Sequence, residues 1–163
     1  MKPFVLIAAL WAVAGTACAK PEEDVAQAIN ACFAAVIDGR PLSDLTHGAT
    51  SIKLTHNPTD CTIRAMDGAP EALRGQVLAA MRARVEGFIP AQTRWEPMAY
   101  GRRETFCLPP GGRHLFVLIS TAEPDAKGTR LMATVLESAK ADPRCYADKG
   151  EQRAIIRDYL KVP

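Results

Sequence analysis

Residues 114–120 have the sequence HLFVLIS, and this segment decides the fold. The five residues between its two ends are all apolar. A short apolar run bounded by turn residues predicts a β-strand. Because successive side chains of a strand point to opposite faces, both faces of this strand are apolar. The segment therefore predicts a central strand in a sheet that is covered on both sides.

Two further strands extend this segment into a meander. The turn sequence PPGG at 109–112 precedes it, and a polar turn at 123–128 leads to a strand over 129–138. Upstream, residues 94–108 predict one irregular strand that is broken by Pro97 and bulged at Gly101. Strands joined by such short turns pair antiparallel, so we expect a three-strand antiparallel meander.

The N-terminal half predicts a helix followed by a hairpin. Apolar residues recur with the helical period over 22–38, and Gly39 and Pro41 end this helix. Residues 50–56 and 61–66 alternate apolar and polar side chains, which is typical of half-buried strands. The sequence NPTD between them is a strong turn signal. We therefore expect an antiparallel hairpin here.

Two more helices complete the predicted fold. One begins near Pro70 and is bounded by Pro90, and the other covers 151–160. The last helix is expected to bury Ile155, Ile156, Tyr159 and Leu160. The predicted order is α-β-β-α-β-β-β-α. Because hairpins dominate, this order predicts an α+β domain with a mostly antiparallel sheet and three helices.

The first nineteen residues have the parts of a secretory signal peptide. Lys2 provides a positive start, residues 4–14 form an uncharged apolar run, and Ala17-Cys18-Ala19 matches an A-x-A cleavage site. The run is too short to span a bilayer, and no second run reaches that length. We therefore expect 1–19 to be a signal peptide and 20–163 to be a single exported domain, periplasmic or secreted.

Cys18 allows a second interpretation of this leader. Gly15-Thr16-Ala17-Cys18 loosely resembles a bacterial lipoprotein signal, in which the cysteine becomes the lipidated first residue. Gly15 stands where such signals usually have a large aliphatic residue. A lipid anchor on Cys18 is therefore the minority interpretation, and cleavage after Ala19 is the main one.

The other four cysteines, an even set in an exported protein, predict two disulfides. Cys32 on the apolar stripe of the first helix and Cys61 on the apolar face of its strand both point into the core. Cys107 ends the first strand of the meander and Cys145 follows the third, and these ends are neighbours in an antiparallel meander. We therefore expect the pairs Cys32–Cys61 and Cys107–Cys145 rather than a metal site.

The charge of the chain argues against some partners. There are 20 Lys and Arg against 18 Asp and Glu, a formal net charge of +2. Such a chain has no overall field that attracts nucleic acid or an anionic membrane. The sequence also contains no P-loop, dinucleotide fingerprint or C-x-x-C pair. We therefore expect no nucleic-acid partner, no membrane span and no cofactor.

The richest polar patch lies in and around the meander. Arginine and aromatic side chains are typical anchors of interfaces, and arginines also clamp anionic ligands. The alternative is an ordinary edge strand that is protected by its charges. The predicted ligand or partner surface consists of Trp95, Tyr100, Arg102, Arg103, Arg113 and His114.

The sequence contains no convincing catalytic or metal-binding set. The residue types of a metal site occur near the hairpin without the spacing of a ligand motif, at Asp44, His47, His56 and Asp60. Ser43, Asp44 and His47 have the types of a hydrolase triad, but they lie within five positions and outside a G-x-S-x-G elbow. We expect no metal and no catalytic residues.

These observations favour a binding role. We expect a small, exported, disulfide-stapled domain that binds an envelope protein or a small ligand in a bacterial envelope. If the helices leave one face of the meander bare, Leu115, Val117 and Ile119 would form a patch for a homodimer or another partner. The alternatives are a small envelope hydrolase with an Asp/His/Arg cleft and a lipoprotein anchored through Cys18.

Overall fold

The computed structural model describes residues 20–42, 52–98, 101–108, 112–140 and 145, and for 92–96 it describes the backbone alone. These ranges contain two helices and six strands in the order α-β-β-α-β-β-β-β. They are α1 (Pro21–Val36), β1 (Ile52–Asn57), β2 (Asp60–Ala65), α2 (Pro70–Arg82), β3 (Ile89–Met98), β4 (Gly101–Cys107), β5 (His114–Ala122) and β6 (Leu131–Ser138). The chain is an α+β fold, as predicted.

The six strands form one antiparallel sheet with the spatial order β1-β2-β6-β5-β4-β3. The segment HLFVLIS lies in β5, between β6 and β4, and is therefore central in the sheet. The predicted hairpin is β1–β2, and it joins the rest of the sheet through β2 and β6. Their register runs from Asp60↔Leu136 to Ala65↔Leu131.

The prediction of one strand over 94–108 is wrong. This region belongs to two strands, β3 and β4, which pair from Ile89↔Cys107 to Met98↔Gly101. Pro97 does not break β3, because an edge strand has one unpaired side that needs no N–H donor. Gly101 is not a bulge but the first residue of β4. The sheet therefore has six strands where the sequence predicted five.

Both helices pack on one face of the sheet and enclose the main core. α1 contacts β1, β2 and β6, and α2 contacts α1, β5 and β6. Leu115, Val117 and Ile119 of β5 are at most 2% exposed within this core. The helices therefore cover the three residues that were candidates for an apolar dimer patch, and this correction removes them as a partner surface.

Two disulfides staple the fold, and their pairs are the predicted ones. Cys32 of α1 is bonded to Cys61 of β2 inside the main core. Cys107 at the end of β4 is bonded to Cys145. This second disulfide lies on the sheet face away from the helices, because Cys107 is opposite Phe116 in the register. Disulfides of this kind are compatible with an extracellular or periplasmic location.

The ends of the helices follow from local sequence. After α1, the N–H of Arg40 donates to the carbonyl of Ala34 at 3.0 Å, and Gly39 has a φ of 64°. This is the arrangement in which glycine commonly ends a helix.

The third predicted helix, over 151–160, lies outside the described residues, which contain two helices and not three. Within the described ranges, no helix is long and apolar enough to cross a membrane.

Candidate functional site

A row of five side chains, three of them basic, crosses the sheet on the face away from the helices. Arg64 of β2 lies opposite Met132 of β6, and Met132 lies opposite Ser120 of β5. Ser120 in turn lies opposite Arg103 of β4, and its Oγ is 3.4 Å from Arg103 Nε. At the other end of the line, Lys53 of β1 lies opposite Arg64. Directly facing residues of paired strands share a face, so these five side chains form one row.

A cavity of about 390 Å³ is lined by the three middle residues of this row, at the end of the sheet where β5 turns into β6. Its volume is in the range of small-molecule sites. We call it the basic cavity, because the described residues of its lining include three cations and neither Asp nor Glu. Its other walls are two methionines and small or hydroxyl side chains. The lining residues are Arg64, Met98, Gly101, Arg102, Ser120, Thr121, Ala122, Ala126, Lys127, Thr129 and Met132.

Two of the three cations that line the basic cavity have no ion-pair partner in the described parts of the chain. Arg64 and Lys127 are exposed, and neither forms an ion pair there. Lys53 stands directly opposite Arg64 in the β1–β2 pair. Like charges facing each other on adjacent strands are destabilising. The described lining of the basic cavity therefore has two exposed cations without an ion-pair partner, in a protein of nearly balanced charge.

Arg102 connects the basic cavity to a network of charges between α2 and β4. Arg102 Nη2 donates to Glu71, and the second oxygen of Glu71 accepts from Arg74 Nη1 at 3.3 Å. Arg74 also donates to both oxygens of Glu104, which is fully buried. Burial lowers the pKa of Arg74, but the hydrogen bonds and charges of Glu104 and Glu71 together outweigh burial, so the pKa of Arg74 is raised. The network holds Arg102 at the cavity wall.

A second cavity, of about 400 Å³, lies on the helix side of Arg102 and Thr121. It is lined by the first residues of α2 and by Glu123 and Pro124. Thr121 lines both cavities and is 4% exposed, and its hydroxyl has no hydrogen-bond partner among the described residues. Because a buried hydroxyl without a partner costs free energy, this end of the sheet would be stabilised by an added polar group.

The predicted surface residues are divided between the two ends of the sheet. Arg102 lines the basic cavity, and Arg103 contacts Ser120 beside it. Arg113 and His114 lie at the opposite end, where His114 faces Ser138. Tyr100 and the side chain of Trp95 lie outside what the structure describes. The structure thus separates Arg113 and His114 from the two arginines of β4, and these two point to opposite faces of the sheet, Arg102 toward Glu71 of α2 and Arg103 toward Ser120.

Arg113 binds the end of α1. Its guanidinium donates to the carbonyls of Ile37 at 2.6 Å and Val36 at 2.7 Å, and it forms two hydrogen bonds of 2.7 Å with Glu137. The carbonyls of a last helical turn have no partner within the helix, so these bonds satisfy them. The hydrogen bond from Arg113 lowers the pKa of Glu137. The contacts of Arg113 are therefore those of a structural residue.

The residues of the alternative hydrolase cleft do not converge where the structure describes them. His56 and Asp60 lie on the β1–β2 hairpin, at the end of β2 that faces Leu136. Arg102 lies at the other end of the sheet, opposite Thr121. Ser43, Asp44 and His47 fall outside the described residues. No cluster of three or more His, Cys, Asp or Glu suited to a metal ion occurs in the described ranges.

Of the residues that line the basic cavity, sequence reasoning had named only Arg102, and those it missed include Arg64, Lys127 and Met132. The alternation of the hairpin indicated that Arg64 points away from the core, but it did not indicate that β6 is the neighbour of β2. Lys127 lies in the loop between β5 and β6, which the sequence showed only as a polar turn. Comparison of the chain with protein-family models, curated proteins and solved structures gave no match.

Proposed function

We propose that this protein is an exported, disulfide-stapled binding module of a bacterial envelope, and that it binds a small ligand in the basic cavity. The observation that carries the proposal is the cavity itself, whose described lining combines three cations and two methionines and includes no carboxylate. Concave sites with apolar walls and a few convergent polar groups are the usual form of small-molecule sites.

Export is part of the proposal and is supported by two features. The leader has a positive start, an apolar run and an A-x-A site. The four cysteines of the remaining chain are paired and at most 2% exposed. Such pairing is stable in oxidising compartments and rare in reducing ones.

A binding role is favoured over the hydrolase alternative by position. Of the residues named for an Asp/His/Arg cleft, His56 and Asp60 lie at the opposite end of the sheet from Arg102, while Asp44 and His47 lie outside the described residues. A protein partner on β5 is also disfavoured, because the helices cover Leu115, Val117 and Ile119. The lipoprotein alternative concerns only the anchor at Cys18 and is compatible with the same cavity.

The site is tested by filling it. Ser120 lies on the floor of the basic cavity, so Ser120→Trp should occupy the space a ligand needs. Thr55→Trp places the same side chain on an exposed strand position outside the cavity and serves as the control. Both proteins and the wild type would be isolated from their native compartment and weighed by native and denaturing mass spectrometry.

We expect a non-covalent adduct on the wild type and on Thr55→Trp that is absent from Ser120→Trp. The denatured wild-type mass should correspond to a chain that begins at Lys20, whereas a lipid adduct on Cys18 would identify the anchored form. An adduct retained by Ser120→Trp would contradict the proposed site. A native product that begins at Met1 and carries reduced cysteines would contradict export.

A further inference from the structure

We propose that the ligand of the basic cavity is a small organic anion, a carboxylate or a phosphate, that carries an apolar portion. This inference rests on the proposed function and specifies the chemistry of the same site. Its first support is the charge of the lining: Arg64, Arg102 and Lys127 line one cavity, Arg102 is paired with Glu71, and the described lining residues include no Asp or Glu. Cations that converge in a concave site raise the local concentration of anions.

The arrangement around Arg64 already carries a cost that an anion would relieve. Arg64 faces Lys53 across the strand pair, and neither residue forms an ion pair with another described residue. Facing like charges repel, and an anion bound by Arg64 in the cavity would reduce this repulsion, although Lys53 itself is not among the lining residues. The guanidinium of Arg64 is planar and offers paired donors that match a carboxylate or a phosphate. Lys127 adds a point charge from the loop above.

The remaining walls favour an apolar portion on the ligand. Met98 is 41% exposed and lines the cavity, so its side chain is available to contact a ligand. Met132 lies between Arg64 and Ser120 in the row, and Ala122 adds another apolar contact. Methionine side chains are flexible and polarizable, and they adapt to varied apolar groups. Burying such a group against them supplies free energy that a bare anion would not gain.

The site is too small and too local for a polymer. The cavity holds about 390 Å³, and the chain as a whole has a formal net charge of only +2. Binding of nucleic acid or an anionic bilayer depends on many cations spread over an extended surface. A compact ligand with one anionic group therefore fits these observations better than a polyanion.

The test is isothermal titration calorimetry of the purified protein with five probes. Octanoate and octyl phosphate combine an anion with an apolar chain, octanol has the chain alone, and acetate and inorganic phosphate have the charge alone. The variants are the double substitution Arg64→Gln and Lys127→Gln, the cavity-filling Ser120→Trp, and Lys140→Gln. Lys140 is exposed and lies outside the cavity, so it matches the loss of one positive charge.

We expect octanoate or octyl phosphate to bind the wild type at least tenfold more tightly than octanol, acetate or inorganic phosphate. The double variant should lose at least tenfold in affinity, and Lys140→Gln less than twofold. Rising salt should weaken binding to the wild type more than to the double variant, because only the wild type has the two charges that salt would screen. A preference between the two anionic probes would identify the head group as a carboxylate or a phosphate.

The outcomes separate this inference from the proposed function. If octanol binds as tightly as octanoate, the cavity is a ligand site but the ligand is not an anion. The same conclusion follows if the double variant binds like the wild type while Ser120→Trp does not bind. If inorganic phosphate binds as tightly as octyl phosphate, the apolar portion is wrong. If no probe binds, and native preparations of the wild type and Ser120→Trp carry the same adducts or none, both proposals are overturned.

Discussion

Arg74 of α2 donates through Nε and Nη2 to the two carboxylate oxygens of Glu104 on β4, at 2.5 and 2.8 Å. The side chain of Glu104 is 1% exposed, and that of Arg74 is 12% exposed. A buried carboxylate requires a partner because its hydration has been lost. This bidentate ion pair therefore joins α2 to β4 close to the basic cavity.

Removing one partner of this pair should be far more damaging than removing both. We expect Arg74→Met to lower the free energy of unfolding by about 3–5 kcal/mol, because it leaves Glu104 buried and unpaired. The double variant Arg74→Met and Glu104→Leu should recover most of that loss, since no charge remains buried. Urea unfolding of the oxidised proteins at neutral pH measures both values. Equal destabilisation of the single and double variants would contradict this account.

Acid should weaken the protein through three carboxylates around the end of α1. Hydrogen bonds from Arg84 lower the pKa of Asp38 below 3.8 and that of Glu86 below 4.5, and Arg113 lowers that of Glu137 below 4.5. Because these groups bind protons more weakly when folded, their stabilisation is complete above about pH 4.5 and is lost as pH falls through the folded values. Below about pH 4.5, the urea concentration at the midpoint of unfolding should therefore decrease.

Arg84→Gln provides the control for this acid dependence. It removes the hydrogen bonds to Asp38 and Glu86, so their pKa values should return toward 3.8 and 4.5. The variant should be less stable than the wild type at neutral pH, and its urea midpoint should change less between pH 5 and pH 3. A parallel decline of both proteins over that range would show that other groups control the acid response.

Arg113 is expected to stabilise α1 by geometry as well as charge. Arg113→Lys keeps the positive charge but loses the guanidinium group. The several N–H donors of that group bind the carbonyls of Val36 and Ile37 and the carboxylate of Glu137 at the same time. We expect a loss of about 1–2 kcal/mol in the free energy of unfolding, which is the usual value of one or two such hydrogen bonds. Lys140→Gln, at an exposed position, should change it by less than about 0.5 kcal/mol.

The fold was predictable where local patterns are strong. The HLFVLIS run indicated a central strand, the turn NPTD indicated the first hairpin, and the faces of Cys32 and Cys61 indicated their disulfide. Each of these depends on periods of two or 3.6 residues and on turn chemistry that neighbouring residues determine. The pairing of Cys107 with Cys145 followed from the same reasoning, because an antiparallel meander brings alternate strand ends together.

The site was less predictable because it is assembled from distant segments. Arg64 and Met132 are adjacent only because β2 pairs with β6, which no local pattern encodes. Arg113 had the residue type of a ligand anchor, yet its partners are helix carbonyls far away in sequence. The error at 94–108 has a similar cause. Pro97 suggested an interrupted strand, but an edge strand tolerates proline, and the edge position depends on tertiary structure.

Each disulfide should contribute substantially to stability. The bonded cysteines are 29 and 38 residues apart, and the chain-entropy relation gives about 3.5–4 kcal/mol for loops of this length. We expect Cys107→Ala with Cys145→Ala to lower the free energy of unfolding by up to about 4 kcal/mol. Cys32→Ala with Cys61→Ala should cost at least as much, because that bond lies within the main core. Urea unfolding compares the two; a change below about 1 kcal/mol in either would contradict it.

Two glycines should respond to alanine in opposite directions. At Gly101, which has a φ of 154°, an added Cβ would lie 2.1 Å from the carbonyl oxygen of Thr121 in the neighbouring strand. Gly101→Ala must therefore push β4 away from β5 beside the basic cavity, and we expect it to destabilise the fold by more than about 2 kcal/mol. It should also weaken ligand binding, because Gly101 and Thr121 both line that cavity.

Gly75 is the matched control, since it lies within α2 and an added Cβ there meets nothing within 4 Å. Alanine is a better helix former than glycine by roughly 0.5–1 kcal/mol, so Gly75→Ala should raise the free energy of unfolding by about that amount. Thermal unfolding of the two variants beside the wild type measures both changes. If Gly101→Ala were as stable as Gly75→Ala, the close approach of β4 and β5 at Thr121 would not exist in solution.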